Sequence, residues 1–508
     1  MDEGRLHNDR IERRSDIGTP KPARRGRAPV VLFVGALAVM VAVAAFVLTP
    51  DDEESAPALV LPSEIVGPDP LSFETDRTSA YERAAAFGLS HVLFERSPGG
   101  VVATARRTAA FRDLVEDAAE SGDTNADLLE AIVFLESAGR PDVIAGNDVE
   151  NAAGLTQILA ETATNFLGMD VDVEASRELT RQTEDARRRG DAQEVRRLRA
   201  ERRQVDARFD PAEALAGSVR YLTEARRHFG REDLAVVSYH MGIGNLESVL
   251  RAYSGDEDAP IDEVVNDEGL DYARIYFDAS PARNRDAWEL LASFGDDSQT
   301  YYWRVLAAAA IMRTFRDDPA RLQLLAELHG RGPSAELVLH PPDLTRRFAE
   351  PGDLADARRT GALQPLRSDP ALPYEVGPQV GRLATRLGAD PALYRLLRPR
   401  ALALLEYLTA QVREVSGAKR PLRVTAAPYD EAYAGVLLDG DADAATHPSL
   451  HATGFSFDIR RRYESGAQAE AFQYTLERLE ALGLIAWMRG ERVIHVTVSP
   501  RAAVRARS

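Results

Sequence analysis

The chain has 508 residues, with 80 acidic and 62 basic side chains, a net charge of −18 and no cysteine. Its length exceeds that of one ordinary domain, and a hydrophobic fraction of 44% is enough to build packed cores. The acidic excess argues against nucleic-acid binding. The lack of cysteine excludes disulfides and thiolate metal sites.

The N-terminal region has the composition of a membrane-spanning helix. No residue from 28 to 50 is charged, and a spanning helix needs about 20 apolar residues. Basic residues precede this stretch, and four acidic residues, 51–54, follow it. Because basic residues stay on the cytoplasmic side, we expect a cytoplasmic tail at 1–28 and a single transmembrane helix at 29–49. The rest of the chain then lies outside the cell membrane. The alternative is a cleaved signal peptide.

The next part of the chain is predicted to be mainly helical. A linker rich in Pro, Ser and acidic residues occupies 50–78, and helical periodicity marks a domain at 79–325. Within it, residues 172–208 are dense in charged side chains, and their apolar residues are too sparse for a core helix. They predict an inserted, mostly solvated helical hairpin that turns at Gly190-Asp191.

The C-terminal part predicts a separate α+β domain at 391–502. Residues 326–390 are rich in Pro, Gly and Asp and are interpreted as a loosely structured connector. After them the pattern predicts helices and strands in one domain. The expected elements are a helix around 402–412, strands at 422–425, 454–459 and 493–498, and a helix at 467–482.

One acidic residue in the helical domain has the position of a general acid. Asn125 is a suitable N-cap for a helix in which Leu129, Ile132 and Glu136 share the core-facing side, while Glu130 points away. Partial burial and the negative end of the helix dipole both favour the protonated carboxyl of Glu136. Such a group can protonate a glycosidic oxygen. The alternative is a glutamate that turns out to water.

The segments around Glu136 resemble the soluble lytic transglycosylase family. The residues are Glu136-Ser137, then Gly154-Leu155-Thr156-Gln157 with Thr162-Ala163, and finally Ser238-Tyr239-His240-Met241-Gly242-Ile243-Gly244. They occur in the family's order, and the resemblance covers about 100–320. Thr156 stands where the family usually has Met, and His240 where it usually has Asn. Both departures concern the lining of the cleft more than the acid.

This resemblance implies a lysozyme-like fold and a peptidoglycan substrate. Glu136 would be the single catalytic acid and base for the bond between N-acetylmuramic acid and N-acetylglucosamine, with closure of a 1,6-anhydro ring. Ser137, Gln157 and Tyr239 would be substrate-binding residues, and no cofactor is needed. The alternatives are a buried amide that caps a helix for Gln157 and a plain core residue for Tyr239.

Two histidines and an aspartate in the C-terminal region have a metal-like pattern. Asp458 alternates with apolar residues along one predicted strand, and His495 does so along another. Neighbouring strands would bring these side chains together, and His451 lies shortly before the first of them. A set of two His and one Asp with an open position suits catalytic zinc. The alternative is that the histidines are ordinary structural residues.

This second pattern resembles zinc D-Ala-D-Ala peptidases of the VanY type, over about 395–500. Ser449, His451, Gly454 and Asp458 fit the family signature, and by the resemblance His451, Asp458 and His495 would bind zinc. The family places a base Glu three residues before the last His, where this chain has Arg492. Glu491, one residue away, is the candidate peptidase base, but neighbouring strand residues face opposite sides. Tyr429 stands where the family has an oxyanion-stabilising Arg, whose charge Tyr does not supply.

The whole sequence thus predicts a multidomain protein of the cell membrane. It has one N-terminal transmembrane helix, a mainly α lysozyme-like domain and a C-terminal α+β VanY-type peptidase-like domain. The leading interpretation is a lytic transglycosylase with an additional zinc peptidase-like domain that is either an active peptidase or an inactive or peptide-binding version. The alternatives are a non-catalytic wall-binding scaffold and a muramidase that adds water.

Overall fold

The structure is a computed structural model that describes residues 69–295, 297–438 and 450–502, without the side chains of residues 267 and 268. The predicted cytoplasmic tail and transmembrane helix, and most of the N-terminal linker, lie outside these residues. In the part of the chain that is described, no helix combines the length and the apolar character needed to cross a membrane.

The first two thirds of the described chain are helical. The first five helices are α1 (Thr78–Gly88), α2 (His91–Arg96), α3 (Val101–Ala109), α4 (Arg112–Ser121) and α5 (Ala126–Ser137). After a short π-helical turn at Thr162–Phe166, the next five are α6 (Val173–Arg188), α7 (Ala192–Val205), α8 (Pro211–Phe229), α9 (Glu232–Met241) and α10 (Ile243–Ser254). They are followed by α11 (Ile261–Glu268), α12 (Tyr272–Asp278), α13 (Arg285–Ser293), α14 (Tyr301–Asp317) and α15 (Pro319–His329).

Helix α5 lies at the centre of this helical region. Helix α14 packs along it, and α3, α4 and α8 contact its other sides. Glu130 is therefore buried, contrary to the expectation that it points away from the core. Its carboxylate is bonded to Arg112 and Arg316, so the charge is paired rather than solvated. The sequence pattern predicted one buried face, but a helix surrounded by others buries several.

The charged segment after residue 172 folds as two paired helices, α6 and α7, with the turn at Gly190 (φ 74°). Most of its side chains are exposed, but the base of the hairpin is anchored. Arg199 and Arg202 contact Asp142 at 3.2 and 2.9 Å. Because Asp142 follows helix α5 in the chain, these ion pairs fasten the hairpin to the loop beyond Glu136.

The C-terminal region is built on a five-stranded sheet. Its strands are β2 (Tyr374–Val376), β4 (Leu422–Ala426), β5 (Ser456–Arg460), β6 (Ile485–Arg489) and β7 (Val493–Val498), in the order β2-β4-β5-β7-β6. The β2–β4 pair is parallel and the other pairs are antiparallel. A separate two-stranded pair joins β1 (Gln364–Pro365) to β3 (Leu396–Leu397).

Alternation along β5 and β7 divides the sheet into an apolar side and a polar side. Phe457, Ile459, Ile494 and Val496 join the main hydrophobic core. Helices α18 (Pro399–Ser416) and α20 (Gly466–Ala481) pack on each other, on β7 and on β6. The intervening residues Ser456, Asp458, His495 and Thr497 are polar and pair across the two strands.

The segment 330–390 is folded rather than loosely structured. It contains α16 (Glu336–Leu339), α17 (Pro351–Arg359), β1 and β2, and a further short helix, α19 (Glu431–Leu438), lies nearby in the C-terminal region. Residues of this segment form a small core of their own with Tyr394 and Tyr433. Two of the prolines that suggested a loose connector lie in regular structure. Pro351 is the first residue of α17, and Pro365 lies in β1.

The helical and strand-containing regions share one hydrophobic core and belong to one compact unit. Helix α20 packs against α1 and α12 at their junction. The guanidinium of Arg478 lies 3.6 Å from the ring centre of Tyr276, and Arg478 is 1% exposed. Gly88 of α1 lies so close to α20 that an added Cβ would be 2.1 Å from the carbonyl oxygen of Glu480.

Candidate functional site

Helix α5 places Glu136 in its last turn. Asn125 fixes the start, since its side-chain oxygen accepts two backbone N–H groups of the first turn. Ala138 ends the helix in a left-handed conformation (φ 55°), followed by Gly139 (φ 68°). A Cβ on Gly139 would lie 2.6 Å from the backbone nitrogen of Thr108, so this position requires glycine. The helix therefore stops just beyond Glu136.

The carboxyl of Glu136 has an unusual environment for an acid. The residue is partly exposed, and its Oε1 accepts a hydrogen bond from the Tyr301 hydroxyl at 2.7 Å. Burial of the carboxyl raises its pKa from 4.5 to about 7, although the Tyr301 hydrogen bond acts in the opposite direction. The C-terminal end of the helix also disfavours a negative charge. Both protonation states are accessible near neutral pH, as acid–base catalysis requires.

Tyr301 is the direct partner of Glu136 that the sequence analysis did not find. Burial and the neighbouring Glu136 raise the pKa of Tyr301 well above its usual value, so its hydroxyl remains a donor. Its ring stacks on that of His240, with centroids 4.9 Å apart. The aromatic run Tyr301-Tyr302-Trp303 was a visible signal. A contact across 165 residues, however, cannot be derived from local spacing.

Tyr239 lies behind this pair and connects α9 to the segment before Gln157. It is partly exposed, and its hydroxyl donates to the carbonyl oxygen of Thr156 at 2.8 Å. The same hydroxyl lies 2.9 Å from Oγ of Ser218. The Tyr221 ring contacts Tyr239 edge-on, with centroids 5.2 Å apart. Tyr239 therefore supports the wall of the site through its hydroxyl, while its ring packs against Tyr221 and the core.

Gln157 ties together the loops next to the site. It has a left-handed backbone (φ 52°), and its side-chain nitrogen donates to the carbonyl oxygens of Val143 and Gly154 at 3.1 and 2.9 Å. The residue is partly exposed. Its amide nitrogen thus joins two loop carbonyls rather than capping a helix.

Ser137 differs from its predicted role in substrate binding. It is 1% exposed, and its hydroxyl donates to the carbonyl oxygen of Val133 at 3.2 Å. It also accepts the backbone N–H of Arg140 at 3.3 Å. Its burial and these two bonds give Ser137 a structural place at the end of the helix.

The sheet brings together His451, Asp458 and His495. Asp458 and His495 are direct partners across β5 and β7. Oδ1 of Asp458 lies 3.1 Å from Nε2 of His451 and 2.8 Å from Nδ1 of His495. Within the described residues, these three side chains form a group whose ligand atoms all lie within 4.8 Å of one another. Imidazole nitrogens and carboxylate oxygens are ligands that zinc binds in proteins, so the chemistry of this donor set fits that ion.

A second carboxylate, Glu336, reaches this cluster from α16. Its Oε2 lies 3.2 Å from Nε2 of His495 and accepts the Thr497 hydroxyl at 3.1 Å. Burial opposes protonation of His495, but its bonds to Asp458 and Glu336 raise the pKa of His495 to about 10. A proton and a metal ion would therefore compete for Nδ1. The sequence analysis missed Glu336 because it had assigned residues 326–390 to a connector.

Glu491 and Tyr429, the two residues that depart from the peptidase pattern, lie in different places. Glu491 is exposed in the turn between β6 and β7, outside the metal-like group, which argues against its candidate role as a base. Tyr429 stacks on the ring of His451, with centroids 4.7 Å apart. Tyr429 thus covers one side of the cluster with an aromatic ring where the family has a cation.

Comparison with known families identifies part of the helical region. Residues 113–261 match the family described as the Transglycosylase SLT domain. The match includes Glu136, Gln157 and Tyr239, ends before Tyr301, and spans less than a third of the chain. It supports a lytic transglycosylase or related peptidoglycan-lytic activity for this mainly helical, lysozyme-like part of the protein. No curated protein sequence matches the chain.

Proposed function

We propose that the helical region is a lytic transglycosylase that cleaves the bond between N-acetylmuramic acid and N-acetylglucosamine in peptidoglycan, with Glu136 as both acid and base. The observation that carries this proposal is the Glu136 carboxyl, with a pKa of about 7, at the end of a helix within the matched family region. A free carboxyl at its ordinary pKa would be almost fully ionised at neutral pH and a poor proton donor.

The proposed reaction uses the Glu136 carboxyl twice, first as an acid and then as a base. Neutral Glu136 donates its proton to the glycosidic oxygen as the bond to C1 of the muramic acid breaks. The carboxylate that forms accepts the hydrogen bond of the Tyr301 hydroxyl. It then removes the proton of the muramic acid C6 hydroxyl, whose oxygen bonds to C1 and closes the 1,6-anhydro ring. Glu136 is left protonated, as at the start.

The proposed mechanism takes its nucleophile from the sugar rather than from a second enzyme carboxylate. Ordinary glycosidases place two carboxyl groups about 5–10 Å apart, one of them as nucleophile or base for water. The pKa of Glu136 is raised by burial and lowered by the Tyr301 hydrogen bond. A single carboxyl fits a mechanism in which the sugar supplies its own hydroxyl.

Mass spectrometry of digested peptidoglycan tests this proposal. The full-length protein should release muropeptides with 1,6-anhydro ends. Products with reducing ends would instead identify a muramidase, and unchanged sacculi would favour a wall-binding scaffold.

We also propose, as a second function, that the C-terminal region binds zinc in the manner of the D-Ala-D-Ala peptidases. The observation that favours it is the close grouping of Asp458 and His495, on paired strands, with His451 from the short 3-10 helix before β5. These three residues would hold the ion, and zinc in such a site polarises a carbonyl or lowers the pKa of a bound water. With Glu491 in an exposed turn, we assign zinc binding to this site and leave hydrolysis unassigned.

Metal analysis distinguishes a zinc site from a set of structural histidines. The purified wild-type protein should retain about one zinc ion per chain, and His451→Ala should lose it. His228→Ala is a suitable control, because His228 is paired with Glu247 in the helical region. A wild-type protein without bound zinc after zinc loading would contradict the assignment.

The uncharged run at 29–49 supports a further proposal, that the protein is held in the cell membrane by one N-terminal helix. Membrane fractionation should then recover the full-length protein with the membranes, and protease added from outside should remove its C-terminal part. Recovery of a shortened, soluble protein would indicate a cleaved signal peptide.

A further inference from the structure

We propose that Glu336 is a positioning residue for the C-terminal metal site, and that it holds His495 with Nδ1 facing the metal ion. This inference rests on the proposed zinc site. Glu336 belongs neither to the sheet that carries Asp458 and His495 nor to the short 3-10 helix that carries His451. It comes from α16, in the segment that joins the helical region to the sheet.

The hydrogen bonds around His495 carry the proposal. Glu336 is 6% exposed, and as a carboxylate it accepts hydrogen bonds but donates none. The one proton of the Thr497 hydroxyl is donated to Glu336 Oε2, at 3.1 Å. The Thr497 oxygen lies 3.1 Å from Nε2 of His495 and can then only accept at that contact. Nε2 must therefore carry a hydrogen, and Nδ1 is the nitrogen left for a metal ion.

A further contact, between the hydroxyls of Ser456 and Thr497, agrees with this assignment of donors and acceptors. Oγ of Ser456 lies 2.9 Å from the Thr497 hydroxyl and, because the Thr497 proton is already committed, donates to it. Ser456 and Thr497 are partners across β5 and β7, two residues along each strand from Asp458 and His495. The orienting network is thus built into the same strand pairing as the proposed ligands. Metal-binding histidines commonly donate their second N–H to a carboxylate in this way, which sets the tautomer and ring orientation.

Geometry also separates Glu336 from the ligands themselves. The two imidazole nitrogens point in different directions, and Asp458 contacts Nδ1 while Glu336 contacts Nε2. A metal ion between His451, Asp458 and His495 would lie on the Nδ1 side of the ring. Glu336 therefore acts on the metal through His495. His340, four residues later, donates from Nε2 to the Val498 carbonyl oxygen at 2.7 Å and holds this segment against β7.

The test is zinc binding by the full-length protein, measured by competition with a chromophoric chelator. Glu336→Ala should weaken zinc binding about 10–100-fold, the usual effect of losing an orienting partner. Glu336→Gln keeps an acceptor oxygen without the charge and should lose less. The exposed Glu327→Ala on neighbouring α15 is the matched control and should bind zinc like the wild type. Circular dichroism and the unfolding midpoint of the zinc-free variants check that each one is folded.

Cobalt substitution tells a positioning residue from a ligand. At saturating Co²⁺ the visible spectrum of Glu336→Ala should equal that of the wild type, because the same atoms bind the ion. A changed spectrum would make Glu336 a ligand and overturn the proposal. Wild-type zinc affinity in folded Glu336→Ala would overturn it while leaving the zinc site intact. Absence of zinc binding by the wild type would remove the site and this inference together.

Discussion

Replacing Glu136 by Gln should abolish glycan cleavage and at the same time stabilise the folded protein at alkaline pH. The folded carboxyl has a pKa of about 7, and its ordinary value is 4.5. Between these values the unfolded chain releases a proton that the folded chain retains, so stability falls as the pH rises. The difference corresponds to about 3 kcal/mol, at 1.36 kcal/mol for each pH unit.

Gln has nearly the same shape as Glu, does not ionise, and keeps a carbonyl oxygen that can accept the Tyr301 hydroxyl. Glu136→Gln should therefore match the wild type in free energy of unfolding near pH 4.5 and exceed it by about 3 kcal/mol above pH 8. Its rate of anhydro-muropeptide release should fall by at least about 100-fold, the lower end for loss of a general acid.

Urea unfolding at pH 4.5 and 8.5, with muropeptide release measured alongside, provides the assay. Glu120→Gln on α4 is the control, since Glu120 is exposed and should change neither quantity. If the stability difference between Glu136→Gln and the wild type is the same at both pH values, the carboxyl is not held in its neutral form. Full activity in the variant would remove Glu136 from the reaction.

Three other substitutions test neighbouring parts of the structure. Tyr301→Phe removes a hydrogen bond that lowers the pKa of Glu136, so the alkaline limb of the pH–rate profile should move up by about 1–2 units; an unmoved limb would contradict this. Arg316→Ala leaves the buried Glu130 with Arg112 alone and should cost about 2 kcal/mol in urea unfolding, whereas unchanged stability would mean that this charge is already satisfied. Gly88→Ala forces a Cβ against a backbone carbonyl and should cost about 2 kcal/mol or more, with faster limited proteolysis at the junction; wild-type resistance would show that the helices can move apart.

Sequence patterns predicted the features that depend on short-range periodicity. The N-cap at Asn125 and the apolar spacing predicted a helix that ends near Glu136, as the structure has it. Alternation predicted that Asp458 and His495 project from polar faces, and the strands pair them directly. Both results follow from the geometry of a single helix or strand, which the order of residues largely determines.

Contacts between distant segments were beyond such patterns. Tyr301 reaches Glu136 across 165 residues, and Glu336 reaches Thr497 across 161. Composition was also a poor guide to the segment 330–390, because its short helices and strands are stabilised by packing on each other and on β4, which single-sequence periodicity does not record. The burial of Glu130 has the same origin, since its partner Arg316 comes from a helix much later in the chain.

The junction between α20 and the helical region limits how this gene can evolve by recombination. Exchanging the C-terminal half for an unrelated domain would remove Arg478 from above the ring of Tyr276. It would also remove the backbone of Glu480 that packs against Gly88. Either half produced alone would expose to water the apolar surface of the shared core and would tend to aggregate. Recombination within the segment 330–390 should therefore rarely yield a soluble product, and the two halves should be inherited together.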